Sequence, residues 1–157
     1  MEYPRLVGML ALYVGDRHRA EDLAQEALIR LHQRWGQSAP LDSPRAWLST
    51  VALNLARSWW RRHYAELRAN DRTAQLAAAV QELEPADVLA VRAAVVALPS
   101  RQRGAVVLRY YAGLSVAETA TALRCREGTV KSLTHHAIQQ LRQTLAVDDL
   151  EELVPHA

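Results

Sequence analysis

Between Leu98 and Leu141 the chain reads LPSRQRGAVVLRYYAGLSVAETATALRCREGTVKSLTHHAIQQL, and its punctuation allows little besides three short helices joined by two tight turns. Pro99 and Ser100 open the first helix, with proline where a helix start tolerates it. Gly113 ends that helix. Ser115 and Glu118 form an S-x-x-E capping box that starts the second, whose apolar positions are Val116, Ala117, Ala120 and Leu123. A polar turn from Arg124 to Glu127 leads into a third helix near Gly128. There Val130, Ala137 and Leu141 recur at helical spacing, with Leu133 or Thr134 filling the gap. Thr129, Lys131, Ser132, His135 and Gln139 lie on the opposite face. This is the pattern of a helix-turn-helix, in which the last helix enters the major groove of DNA and presents its first turns to base edges.

The remaining sequence carries the same all-helical signature. Glycine and proline number six each in 157 residues, phenylalanine is absent, and no stretch alternates with a period of two. A first helix is expected over Tyr3–Tyr13, punctuated by Gly15 and Asp16. A second is expected over about His18–Trp35, with Leu23, Ala24, Ala27, Leu28, Leu31 and Trp35 apolar. A loop, Gly36 to Ser43, closes on Asp42-Ser43-Pro44, a good helix start. The next helix places Trp47, Leu48, Val51, Ala52, Leu55 and Trp59 on its core side. The expected fold class is therefore all-α, with two small helical domains joined by a flexible linker. Residues 1–64 form the first, 65–90 the linker, 91–145 the second, and 146–157 an acidic tail.

Charge is dealt unevenly along this plan. Residues 1–64 carry 9 basic and 6 acidic side chains, residues 65–90 carry 2 and 5, residues 91–145 carry 8 and 2, and the tail carries only 4 acids. Two basic blocks divided by an acidic stretch point to two surfaces that face a polyanion. Cys125 stands alone, which excludes an intrachain disulfide or a cysteine metal cluster. It reads as a small turn residue, with redox sensing the alternative. No signal peptide or bilayer-spanning apolar run is evident, so the expected setting is cytoplasmic.

Two helical faces carry further candidates. On the second helix Asp22, Gln25, Glu26, Ile29 and Gln33 share one side, either as a solvated surface or as a docking surface marked by an apolar residue among acids and amides. On the third, Asn54, Arg57, Ser58 and Arg61 line one face, and the helix runs on through Trp59-Trp60-Arg61-Arg62-His63-Tyr64. Interleaved rings and guanidinium groups suit single-stranded nucleic acid, the rings stacking on bases and the cations following phosphates. Core packing of the tryptophans is the other reading, preferred for Trp59 and not for Trp60. No metalloprotease helix, phosphate-cradling glycine loop or nucleophile–base set is present, and His135-His136 point about 100° apart on a helix, so neither enzymatic chemistry nor a metal or cofactor is expected.

AEDLAQEALIRLH, RAWLSTVALNLARSWWRR, LPSRQRGAVVLRYYAGLSVAETATAL and GTVKS together resemble the extracytoplasmic-function (ECF) group of bacterial sigma factors in the sigma-70 family. The resemblance spans nearly the whole chain except the linker and tail. It implies a non-enzymatic subunit that binds core RNA polymerase and promoter DNA, with an anti-sigma factor as a further partner and no insertion into membrane. Asp22, Gln25, Glu26 and Ile29 would dock on the polymerase clamp helices. The loop 36–43 would receive a flipped −10 base. Asn54 would read the unpaired strand along a path lined by Arg57, Trp60, Arg61 and Arg62. Arg126, Gly128, Thr129, Lys131, Ser132, His135 and His136 would face the −35 duplex. Departures from the family pattern are Leu133 and Thr134, where arginine and a bulky apolar residue are usual, His136 where arginine is frequent, and Ser58 where aspartate is frequent. The first helix is also short, and the tail reads as a disordered end or a partner-binding segment. A stand-alone helix-turn-helix regulator and a degenerate sigma-like interaction module are the competing readings.

Overall fold

The computed structural model describes residues 3–35, 41–70 and 86–145, with side chains described outside 64–70. Among them the secondary structure is helical throughout: α1 (Tyr3–Val14), α2 (Arg17–Trp35), α3 (Pro44–Asn70), α4 (Ala86–Ala97), α5 (Ser100–Val106), α6 (Val116–Leu123) and α7 (Glu127–Leu145). A π-helical turn, Val107–Tyr111, continues α5.

Local chemistry sets most of the boundaries. Gly15 takes φ +80 and donates its amide to the Ala11 carbonyl, which ends α1. The Asp16 carboxylate accepts the Arg19 amide at 3.0 Å and starts α2. Ser43 Oγ accepts the Ala46 amide at 3.2 Å, with Pro44 in the first helical position of α3. Both halves of the Ser115–Glu118 capping box form, at 3.1 and 2.8 Å. Helix α3 continues to Asn70, past the domain boundary expected at residue 64, because YAELRAN contains good helix formers and neither glycine nor proline. Linker residues 71–85, loop residues 36–40 and the tail 146–157 lie outside the described residues.

Helices α1, α2 and α3 pack as one bundle, and α5, α6 and α7 as another. The alanines Ala20, Ala24 and Ala27, all fully buried, let α2 approach its neighbours closely. In the second bundle Leu108, Leu114, Val130 and Ala137 are sealed from solvent. Two expected apolar positions are exposed, and one buried position was not expected. Trp35 is 68% exposed on the final turn of α2, which at 19 residues is longer than the 12-residue α1. Ala117 is exposed, since α6 turns Thr119, Ala120, Ala122 and Leu123 inward instead. Leu53, not in the expected α3 stripe, is 1% exposed.

Leu53 is buried because the two bundles are not separate. One continuous apolar core runs from α1 through α3 into α5 and α7, with α4 packed against both α1 and α7 and α6 against α3. Polar contacts seal the seam. Arg103 of α5 is only 7% exposed, and donates to the Tyr13 carbonyl at 2.9 Å and the Leu98 carbonyl at 3.2 Å. Tyr13 Oη and Ser100 Oγ lie 3.1 Å apart, and Arg45 donates to the Ala112 carbonyl. A Cβ on Gly8 of α1 would run into the Tyr111 hydroxyl, so glycine makes the room that this tyrosine occupies.

Candidate nucleic-acid interface

Helix α7 divides as its sequence requires. Val130, Ala137 and Leu141 are buried, while Leu133 packs partly against the core and fills the gap between them. The Thr134 hydroxyl turns back to the Val130 carbonyl at 2.9 Å. Arg126, Gly128, Thr129, Lys131, Ser132, His135, His136 and Gln139 are all exposed. One of these is committed locally: His136 Nδ1–H donates to the Ser132 carbonyl at 2.8 Å, folding the ring onto its own helix. A Cβ built on Gly128 meets nothing within 4 Å, so the first turn of α7 is open to close approach from outside. Arg124, just upstream, holds φ 52, the one non-glycine positive φ among the described residues.

Cys125 is half-buried in that turn. With Ala117, Ala120, Thr121, Arg124, Arg126 and Glu127 it lines an open concavity beside the start of α7. The Glu118 carboxyl is held below the usual carboxylate range. Its hydrogen bonds to the Ser115 amide and hydroxyl contribute most; burial opposes them, and the Ser43 hydroxyl and Arg45 cation from the first bundle assist.

On α2, Asp22, Gln25, Glu26 and Ile29 are exposed together, Ile29 at 57%. Arg19 pairs with Asp22 at 3.3 Å and Arg30 with Glu26 at 2.6 Å, both along the helix and in solvent. Pairs of this kind are worth about 0.3–0.5 kcal/mol, too little to hold the acids from a stronger partner. On α3, Asn54, Arg61 and Arg62 are exposed and Arg57 half-buried, so the polar face exists as its spacing implied. Arg61 donates to Ser58 Oγ at 3.2 Å.

The two tryptophans play different parts. Trp59 is half-buried, stacked on His63 at 4.7 Å between ring centroids, with the Arg19 guanidinium 5.6 Å from its own ring. Trp60 is turned into the seam. Its Nε1–H donates to the Tyr13 carbonyl at 3.2 Å, and the Arg103 guanidinium lies 4.7 Å from its ring centroid. Sequence reasoning set Trp60 beside Arg61 and Arg62 as a stacking platform. In this arrangement the indole is occupied by the protein itself. It missed Tyr13, Arg103 and Gly8 altogether. The one available signal was an arginine directly before the apolar GAVVL stretch, on a helix whose inner face must be dry.

Two regions of the chain match known families: residues 1–66 match Sigma-70 region 2, and residues 89–141 match Sigma-70, region 4. An RNA polymerase sigma-E factor of Streptomyces antibioticus is 35% identical over 138 residues, covering 88% of this chain and 77% of that protein. The chain belongs to the ECF sigma factors of the sigma-70 family. The ECF RNA polymerase sigma factor SigL of Mycobacterium tuberculosis is also 35% identical over 138 residues, covering 83% of this chain and 77% of SigL. Among solved structures, the sigma factor RpoE of Bartonella quintana, in complex with the anti-sigma factor NepR, superposes with a TM-score of 0.80 at 26% identity, over 94% of this chain and 93% of RpoE. A superposition that covers both bundles at once means this ECF sigma factor shares the paired arrangement of its two regions with that structure. Among the described residues no helix is long and apolar enough to cross a membrane.

Proposed function

We propose that this ECF sigma factor binds core RNA polymerase in the cytoplasm and confers promoter specificity on it, without catalytic chemistry of its own. Region 2 supplies two surfaces: Asp22, Gln25, Glu26 and Ile29 on α2 grip the polymerase, and Asn54, Arg57, Trp60, Arg61 and Arg62 on α3 hold the melted −10 strand. Region 4 reads the −35 duplex through Arg126, Gly128, Thr129, Lys131, Ser132, His135 and His136. The observation that carries this reading is the match of region 2 and region 4, in that order, across nearly all of the chain. The exposure of Thr129, Lys131, Ser132 and His135 opposite a buried Val130–Ala137–Leu141 stripe supports it physically. An anti-sigma factor is the further partner, supported by the likeness to RpoE in its NepR complex.

Each region alone is small and modestly basic, so its affinity for DNA is weak. Polymerase, holding both regions at a fixed spacing, turns two weak contacts into bivalent binding. Run-off transcription with purified core polymerase tests this reading. Transcripts that appear with the wild type and vanish with Asp22→Ala or Asn54→Ala support it. Sequence-specific DNA binding with no polymerase dependence identifies a stand-alone regulator instead, and polymerase binding without transcripts an interaction module.

A further inference from the structure

The contacts of Arg103 have the form of a latch. Helix α1 ends with no basic residue in its last turn, although the carbonyls there carry the negative end of the helix dipole and have no intrahelical donors. One of them, Tyr13 O, accepts two side-chain hydrogen bonds, from Trp60 Nε1 at 3.2 Å and from Arg103 Nη1 at 2.9 Å. The same guanidinium lies 5.1 Å from the Tyr13 ring centroid and 4.7 Å from that of Trp60. So a cation from region 4 caps a helix of region 2 and covers the indole that region 2 offers to DNA. Gly8 and Tyr111 interlock on the same seam, and Gly113, at φ +68, leaves room for the Arg45 guanidinium that reaches across to Ala112.

We propose that these contacts make the polymerase-free protein self-occluded: Arg103 latches the two regions together and keeps Trp60 from single-stranded DNA until the seam opens. The inference extends the −10 assignment of Trp60 given above and rests on it. The latch sets a population of closed and open arrangements rather than a permanent lock. A binding site available only in the open fraction loses apparent affinity by that fraction. A closed state favoured about tenfold therefore costs about tenfold in strand affinity, and removing the latch restores it.

The test uses the full chain with Cys125→Ser and dyes at His18→Cys and Gln143→Cys, both on exposed positions of the two regions. Arg103→Leu keeps volume while removing the donors and the cation. Gly8→Leu wedges the seam from the other side without touching Arg103. Energy transfer between the dyes is read in the free protein, and anisotropy reads binding of a 20-nucleotide single-stranded DNA of mixed sequence. The expected result is high transfer in the wild type, lower transfer in both variants, and strand affinity raised about tenfold in each. That gain disappears when Trp60→Ala is added. Low transfer in the wild type overturns the proposal. So do two variants that keep wild-type helicity by circular dichroism and change neither transfer nor affinity. If Arg103→Leu fails to fold, Gly8→Leu decides alone. A drop in transfer with no affinity gain overturns the occlusion of Trp60. Neither result depends on polymerase, so run-off transcription judges the sigma reading separately.

Discussion

Ser115 and Glu118 each satisfy the other's backbone amide, and the resulting charge at the start of α6 is stabilised by the helix dipole. Ser115→Ala is expected to cost about 1 kcal/mol in urea unfolding. The Glu118 carboxyl titrates below its unfolded value, so its contribution is complete above about pH 4.3, the value of an unfolded glutamate. It is lost as pH falls from there through the folded-state value. Glu118→Gln should flatten the stability profile in that acid window and leave it unchanged in slope near neutrality. Gly128 offers a sharper contrast. Its φ is ordinary for a helix and its missing Cβ faces open space, so Gly128→Ala should raise stability by about 0.5–1 kcal/mol. If α7 lies against DNA as proposed, the same substitution lowers −35 duplex affinity, and a variant that gains stability with unchanged binding removes Gly128 from the contact set.

At the scale of elements, α7 and α2 show how one pattern of buried residues leaves a working face. In α7 the buried residues recur at intervals of seven and four, which orients Lys131 and Ser132 outward by geometry alone. Lys131 is the chain's one lysine. Lys131→Ala should reduce the salt dependence of −35 duplex binding by a slope of about one, because one fewer phosphate is neutralised. An unchanged slope, measured by titration across salt concentrations, excludes a phosphate contact at this position. In α2 the acidic face is laced by ion pairs with Arg19 and Arg30 on the same helix. Those arginines are the local alternative to a partner, and weak surface pairs of this kind exchange at little cost.

At the scale of the whole molecule, the shared core couples region 2 to region 4. All four tryptophans lie in region 2, so indole fluorescence follows that region while far-ultraviolet circular dichroism follows every helix. With the seam intact, the two probes should report one coincident unfolding transition. Arg103→Leu should separate them into two. Coincident curves in both proteins would mean that apolar burial holds the regions together without the arginine.

The residues that end and begin helices act within three or four positions of themselves, which is why Gly15, Asp16, Ser43, Pro44, Ser115 and Glu118 can be read directly from order in the chain. The exposed face of α7 follows for the same reason: period 3.6 fixes which side chains oppose Val130 and Ala137. Trp60 could not be placed that way. Its neighbours Arg61 and Arg62 are exposed and local pattern groups them with it, whereas the groups that engage its indole, Tyr13 and Arg103, stand 47 and 43 positions away along the chain. Sequence alone determined the helices, their caps and the polar stripes they carry, because those are consequences of short-range hydrogen bonding and helical period. The meeting of the two regions, and with it the burial of Leu53 and Arg103, was decided only by tertiary packing, because contacts between distant segments depend on which surfaces exclude water together.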